Sequence, residues 1–350
     1  MQRKLLLITM SLLITTFSAH AQIFSDSSGF EFSGSADIYY KYDFSGNPNI
    51  PTSFANEQNS FSIGMLDLSL SKTINKVTLV GEVSFGPRAA QSLPSYSVDD
   101  ETDLAFNLQN LYISYALTEK LSVTAGYMGT FLGYEVISPT GNFHYSTSYL
   151  FSYGPFQNAG IKLDYAFSDR VALMVGVFNQ WNVFDNSVFE SKDFGAQLYL
   201  VPVEGWDMYL NFVTGSINRE FDLTTTYSLG DLTLGLNVAS WENVDYEPDL
   251  ETENSTQPNF FGGALYLSYA ISDAVALGVR GEHFSTEKTG YLGAAKSVKA
   301  FTFSANLKSG PLTFIPEFRI DSGDKDLFLD SDEMATKSAS QLLLAAIYAF

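Results

Sequence analysis

Reactive side chains are scarce in this sequence: three histidines occur in 350 residues, and cysteine is absent. Thiol nucleophiles and cysteine metal sites are therefore out of reach. His20 falls in a leader segment, which leaves His144 in a long irregular stretch and His283 on the apolar face near the end of an alternating segment. Hydrolysis needs a nucleophile and a base that project together. No Asn-His-x-Ser arrangement surrounds either histidine. The sequence thus assigns no catalytic, cofactor-binding or metal-ligating residue, and an enzyme is the least favoured reading. Two acidic runs, 242–259 and 321–333, could attract Ca²⁺ or Mg²⁺. The second lacks the EF-hand spacing with glycine at its sixth position, so both are read as solvated loops.

What remains is a set of charges that share one face of alternating segments. They are Asp37, Lys41, Glu82, Arg88, Lys162, Asp164, Asp207, Arg280, Glu282, Glu317 and Arg319. In the first segment Phe32, Ala36, Ile38, Tyr40 and Tyr42 point one way, while Ser35, Asp37, Tyr39, Lys41 and Asp43 point the other. In the third, Val77, Leu79, Val83 and Phe85 oppose Thr78, Glu82, Ser84 and Arg88. No Lys, Arg, Asp or Glu interrupts the middle of an apolar row. Such rows suit lipid, where an Arg or Lys at the midplane costs about 2–4 kcal/mol. The polar face reads either as charged rings that select ions or as compensating neighbours, such as Arg280 with Glu282 and Glu317 with Arg319. The compensating wall is the favoured reading, and the charge balance leans towards cations.

Strands must position these faces. Alternating segments flank short polar turns in YALTEKLSV (115–123), YAFSDRVAL (165–173), YSLGDLTL (227–234) and YAISDAVAL (269–277), with looser versions at 71–79 and 307–314. Each is a hairpin signature. Longer connections separate them, at about 45–58, 89–103, 132–157, 182–191, 242–259, 286–297 and 322–337, with a short one near 216–222. Tight turns alternating with long loops, over 16 strands, describe an all-β transmembrane antiparallel up-and-down β-barrel with short periplasmic turns and long extracellular loops. A soluble sandwich also alternates, but it rarely runs to so many hairpin-linked strands. Tyr115, Tyr165, Tyr227 and Tyr269 each precede a tight turn on the apolar face, where an interfacial aromatic girdle would lie.

The ends of the chain agree with export. Arg3 and Lys4 precede an apolar stretch at 5–17, and Ala19-His20-Ala21 is a small-x-small site, so 1–21 reads as a signal peptide cleaved after Ala21. Residues 22–350 then form one barrel domain. The last ten residues, QLLLAAIYAF, make an amphipathic strand ending in Phe350, similar to the signature that outer-membrane proteins present to the barrel-assembly machinery. A net charge of -20 argues against nucleic acid as a partner.

The segments NSFSIGMLDLSLSKTINKVTLVGEVSFGPRA (59–89), LYISYALTEKLSVTAGYMGTFLGYEVISP (111–139) and 142–179 resemble the OmpL-like β-barrel porin family. The resemblance implies an outer-membrane barrel with porin activity and carries no residue-level site. A barrel of this size leaves an aqueous lumen unless plugged. The expected function is passive or weakly selective diffusion of small hydrophilic solutes and ions, the alternative an occluded barrel acting as a surface binding or structural protein. The third long loop, 132–157, holds Tyr134, Glu135, Phe143, His144, Tyr145, Tyr149, Phe151, Tyr153 and Phe156. By analogy with general porins it is the candidate constriction, and a packed aromatic plug at the outer rim is the equal alternative. Expected partners are outer-membrane lipid and lipopolysaccharide, and the chain itself as a homo-oligomer. No cofactor is expected.

Overall fold

The computed structural model describes residues 29–92, 108–184, 191–244, 259–287, 292 and 295–350. The leader with its cleavage site, and most of the acidic run 242–259, lie outside the described residues. The first half of the barrel is built from β1 (Glu31–Asp43), β2 (Ser60–Ile74), β3 (Val77–Phe85), β4 (Leu108–Ala116), β5 (Leu121–Gly129), β6 (Gln157–Ser168), β7 (Val171–Phe178) and β8 (Asp193–Leu200). The second half holds β9 (Trp206–Thr214), β10 (Asn218–Leu229), β11 (Leu232–Asn243), β12 (Phe260–Ser272), β13 (Val275–Thr286), β14 (Ser297–Ser309) and β15 (Leu312–Gly323). A two-residue ladder, β16 (Phe328–Leu329) with β17 (Ala335–Thr336), decorates the last loop before β18 (Ser338–Ala349). Sixteen strands form one closed antiparallel sheet, in chain order, with β18 returning to β1.

Closure removes the sheet edge, so no ladder is left unpaired in lipid. The β1–β18 register runs from Ser35 opposite Ala349 to Asp43 opposite Gln341. Gly34 and Phe350 extend it by exchanging backbone hydrogen bonds of 2.9 Å in both directions. A side chain at Gly34 would collide with the Phe350 ring, so the missing side chain is what admits the terminal aromatic at the seam.

Burial inverts the pattern of a soluble protein. Ile38, Ile63, Leu265, Leu342 and Leu344 stand exposed on the outer wall, while Asp37, Lys41, Arg280, Glu317, Arg319 and Asp321 are buried inside. The alternation read from the sequence is therefore real, with its apolar row facing lipid. Tyr115, Tyr165 and Tyr269 lie on that row beside the tight turns. Leu344, in the middle of β18, is 52% exposed. Replacing it with arginine is expected to cost about 2–4 kcal/mol, read as a lower unfolding free energy in lipid vesicles.

Two expectations need correction. Arg88 does not continue β3, which ends at Phe85. Gly86 adopts a positive φ of 111°, and Pro87 then starts a short helix, α1 (Pro87–Ser92), that carries Arg88 inward. The short connection near 216–222 is shorter still: Gly215 already bonds to Asn218 at 2.7 Å, and 218–222 belong to β10. In the last loop, backbone amides of Lys296 and Ser297 donate to Asp324 at 2.9 and 3.1 Å and hold its carboxyl below the usual range.

Candidate functional site: a loop anchored inside the barrel

The long loop between β5 and β6 turns back into the barrel and is bound there by the charged inner wall. It contains a short 3₁₀ turn at Pro139–Gly141 and one helical turn, α2 (Tyr149–Tyr153), capped by Ser148. A loop in the lumen must satisfy its own backbone, and the wall supplies the partners. Glu317 of β15 accepts from the amides of Tyr145 (2.9 Å) and Ser146 (3.2 Å), and Glu282 of β13 accepts from those of Tyr149 (3.0 Å) and Leu150 (2.9 Å). Arg280 donates to the carbonyl of Ser146 at 2.7 Å, Arg319 to that of Thr147 at 2.8 Å, and Arg88 to those of Ile137 and Tyr145 at 3.0 and 3.1 Å. Carboxylates bind amides and guanidinium groups bind carbonyls, each as its charge requires.

The ion pairs follow the same logic. Arg280 pairs with Glu135 of the loop at 2.5 Å, and Arg319 with Asp321 at 2.8 Å, all four side chains being essentially inaccessible. The expected pairings of Arg280 with Glu282 and of Glu317 with Arg319 do not hold the wall together. Residues two apart share a face, but these side chains reach across to the loop or to another neighbour. Tyr145 donates its hydroxyl to Asp37, Tyr149 donates to Asp321 at 2.7 Å, and His144 Nδ1 shares a hydrogen bond of 2.7 Å with Ser304.

Inward-facing glycines complete the fit. A β-carbon at Gly235, Gly262 or Gly278 would collide with Tyr134, Leu150 or Phe143 respectively, and one at Gly64 with the Asp37 carboxylate that binds Tyr145. Strand glycines often mark a close approach, and here the first three each leave a niche for one loop side chain. Sequence reasoning missed them, although their place on the inner face was readable. Tyr134 also stacks on Tyr266, ring centroids 4.2 Å apart.

Towards the loop side, aromatic packing dominates. Tyr149, Trp241, Phe260 and Phe284 form a buried cluster with Ile50 and Phe328, and Tyr153 packs against it. Phe54 of the first loop meets Phe151 and Phe156. The third loop thus has a polar, hydrogen-bonded part against the inner wall and an aromatic part nearer the rim. On the turn side of the loop lies a cavity of 620 Å³ whose lining includes Tyr134, Phe143, His144, Tyr266, Lys308 and Phe350.

The other sequence candidates lie apart from the anchors. Glu82 takes a hydrogen bond from Asn110 at 2.7 Å, Lys162 pairs with Asp164 at 3.3 Å, and Asp207 accepts from Tyr199 at 2.5 Å. These four charged side chains are half-buried on β3, β6 and β9. Lys41 is buried on β1, beside the Asp43 that binds Ser45 and Gln58 of the first loop. No group of three metal-ligating side chains occurs among the described residues.

A model of the beta-barrel porin-2, OmpL-like family matches residues 29–350. The chain belongs to that family. It is an outer-membrane porin, and the solved structures it resembles share the fold. OmpT of Vibrio cholerae, 14% identical, aligns over 93% of this chain and 99% of its own with a TM-score of 0.57. An anion-selective porin from Comamonas acidovorans, 10% identical, aligns over 92% and 99% with a TM-score of 0.58. OmpF of Salmonella typhi, solved with daunomycin, is 12% identical and aligns over 92% and 97% with a TM-score of 0.57. No curated protein matches the chain. The porin's inward loop is anchored on this common barrel.

Proposed function

We propose that this porin conducts small hydrophilic solutes and ions by diffusion, with a preference for cations, and that residues 132–157 form the constriction. The observation that carries this reading is the division of the wall. The anchors of the loop lie on β1, β10, β13, β14 and β15, whereas β3, β6 and β9 offer half-buried Glu82, Asp164 and Asp207 against a single Lys162. A passage between the loop and this acidic wall favours cations. The fold does not fix the sign, since the Comamonas acidovorans porin on the same barrel is anion-selective.

Planar-bilayer recording of the refolded barrel in a salt gradient tests the proposal. Discrete conductance steps with a cation-selective reversal potential support it. Glu82→Gln with Asp164→Asn is expected to move that potential towards zero without altering the heat-modifiable migration of the folded barrel. The aromatic cluster at the loop side favours a second reading, an occluded surface barrel, and a folded barrel without steps would establish it.

Export with cleavage after Ala21, and recognition of Phe350 by the assembly machinery, belong to the same proposal. So does assembly into a homo-oligomer, as OmpT of Vibrio cholerae has a trimer form.

A further inference from the structure

The cavity on the turn side of the inward loop has a chemistry that the anchoring of the loop does not use. Its volume of 620 Å³ falls within the range of about 300–1,000 Å³ typical of small-molecule sites. The loop forms one side of it with the 3₁₀ turn and Phe143, and the turn-side ends of β11 to β15 and β18 form the other. Asp273 and Ala274 of one tight turn, with Gly310 and Pro311 of another, frame its mouth.

Rings line one part of the cavity and hydroxyls the other. The half-buried ring of Phe143 rests in the Gly278 niche, and Tyr266 lies beside it, stacked on Tyr134. Thr233, Ser268 and Thr313 take inward positions on β11, β12 and β15, because their neighbours Leu234, Leu267 and Phe314 are exposed to lipid. Ser268 stands directly opposite Thr233. The hydroxyls of these three have no hydrogen-bond partner among the described residues. Asn306 donates to the carbonyl of Phe143 at 2.9 Å and keeps its own carbonyl oxygen as an acceptor. Charge is balanced: Glu135 is matched by Arg280 and by the amide of Ser148 at 2.7 Å. Lys308 lies beside the Asp273 turn, its amide donating to Ala274 at 2.8 Å, so the mouth carries one charge of each sign.

We propose that this cavity binds a small neutral saccharide, with the C–H face of a sugar ring on Phe143 and its hydroxyls on Ser268, Asn306 and Thr313. Each wall hydroxyl can donate or accept, which suits a ligand whose edge is made of the same group. An aromatic face suits the apolar side of a sugar ring. A charged ligand would meet no uncompensated partner inside, and burying it there would be costly. Binding needs only the cavity and stands whether or not the loop leaves a passage.

The test is isothermal titration of the full folded barrel in an amine-oxide detergent, which carries no sugar. The probes are glucose, maltose, cellobiose and lactose, with glucose 6-phosphate and p-nitrophenol for comparison. The expected result is one site per barrel for at least one of the neutral sugars. Ser268→Ala plus Thr313→Val should weaken it about 10-fold, and Phe143→Leu about 5-fold. Both are checked for heat-modifiable migration, and Ser240→Ala, on the exposed face of β11, leaves binding unchanged. No binding of any of the four sugars, or equal binding by the folded variants, overturns the proposal. Tighter binding of glucose 6-phosphate overturns the neutral assignment, and equal binding of p-nitrophenol overturns the saccharide.

Discussion

Replacing Arg280 with leucine is expected to destabilise the barrel by about 3–5 kcal/mol, because it leaves buried Glu135 without its cation. The same change strips the carbonyl of Ser146 of its donor at 2.7 Å and Thr302 of its partner at 3.1 Å. Arginine is suited to this place because its planar fork serves a carboxylate, a carbonyl and a hydroxyl at once. The measurement is equilibrium unfolding by urea in lipid vesicles. The double variant Arg280→Leu, Glu135→Gln should recover a substantial part of the loss, since no charge is then buried alone. Equal instability in both variants would mean that the loop's backbone contacts, and not the ion pair, set the cost.

Deleting residues 140–150 is expected to raise single-channel conductance severalfold and to weaken the cation preference. The deleted stretch carries Phe143, His144, Tyr145 and Tyr149, the side chains that occupy the lumen against β1 and β13 to β15. Its removal also leaves Glu282 and Glu317 without the amides they accept from. Glu282→Gln and Glu317→Gln should therefore accompany the deletion, so that a loss of stability is not mistaken for a loss of conduction. Unchanged conductance in a barrel that still shows heat-modifiable migration would mean that the narrowest point lies at the aromatic rim, among Trp241, Phe260 and Phe284.

The barrel was legible because lipid imposes a strict rule on alternate residues. A charge on the outer row costs so much that the faces of β1, β3 and β15 separate without ambiguity, and turn length then orders the strands. The partners of the inner charges were not legible. Glu317 and Arg319 are two residues apart, so spacing suggests a pair, but the path of a loop some 170 residues away decides their bonds. Arg88 was misplaced because alternation was carried past Gly86-Pro87, a pair that marks a turn and a helix start. The niche glycines were visible as gaps in the inner rows, yet only the folded structure shows which side chain fills each one.

The uneven anchoring of the loop has an evolutionary reading. One arc of the wall is committed to holding the inward loop, and a substitution at Arg280, Glu282, Glu317 or Arg319 is expected to change stability first. The arc that carries Glu82, Lys162, Asp164 and Asp207 has no such obligation. Among the described residues, none of these four side chains holds the loop, so exchanging them, Lys162 together with its partner Asp164, leaves the loop's anchors in place. If those charges set selectivity as proposed, it can drift on one side of the barrel while the other side conserves its shape, so that a lineage changes what it admits without rebuilding the loop.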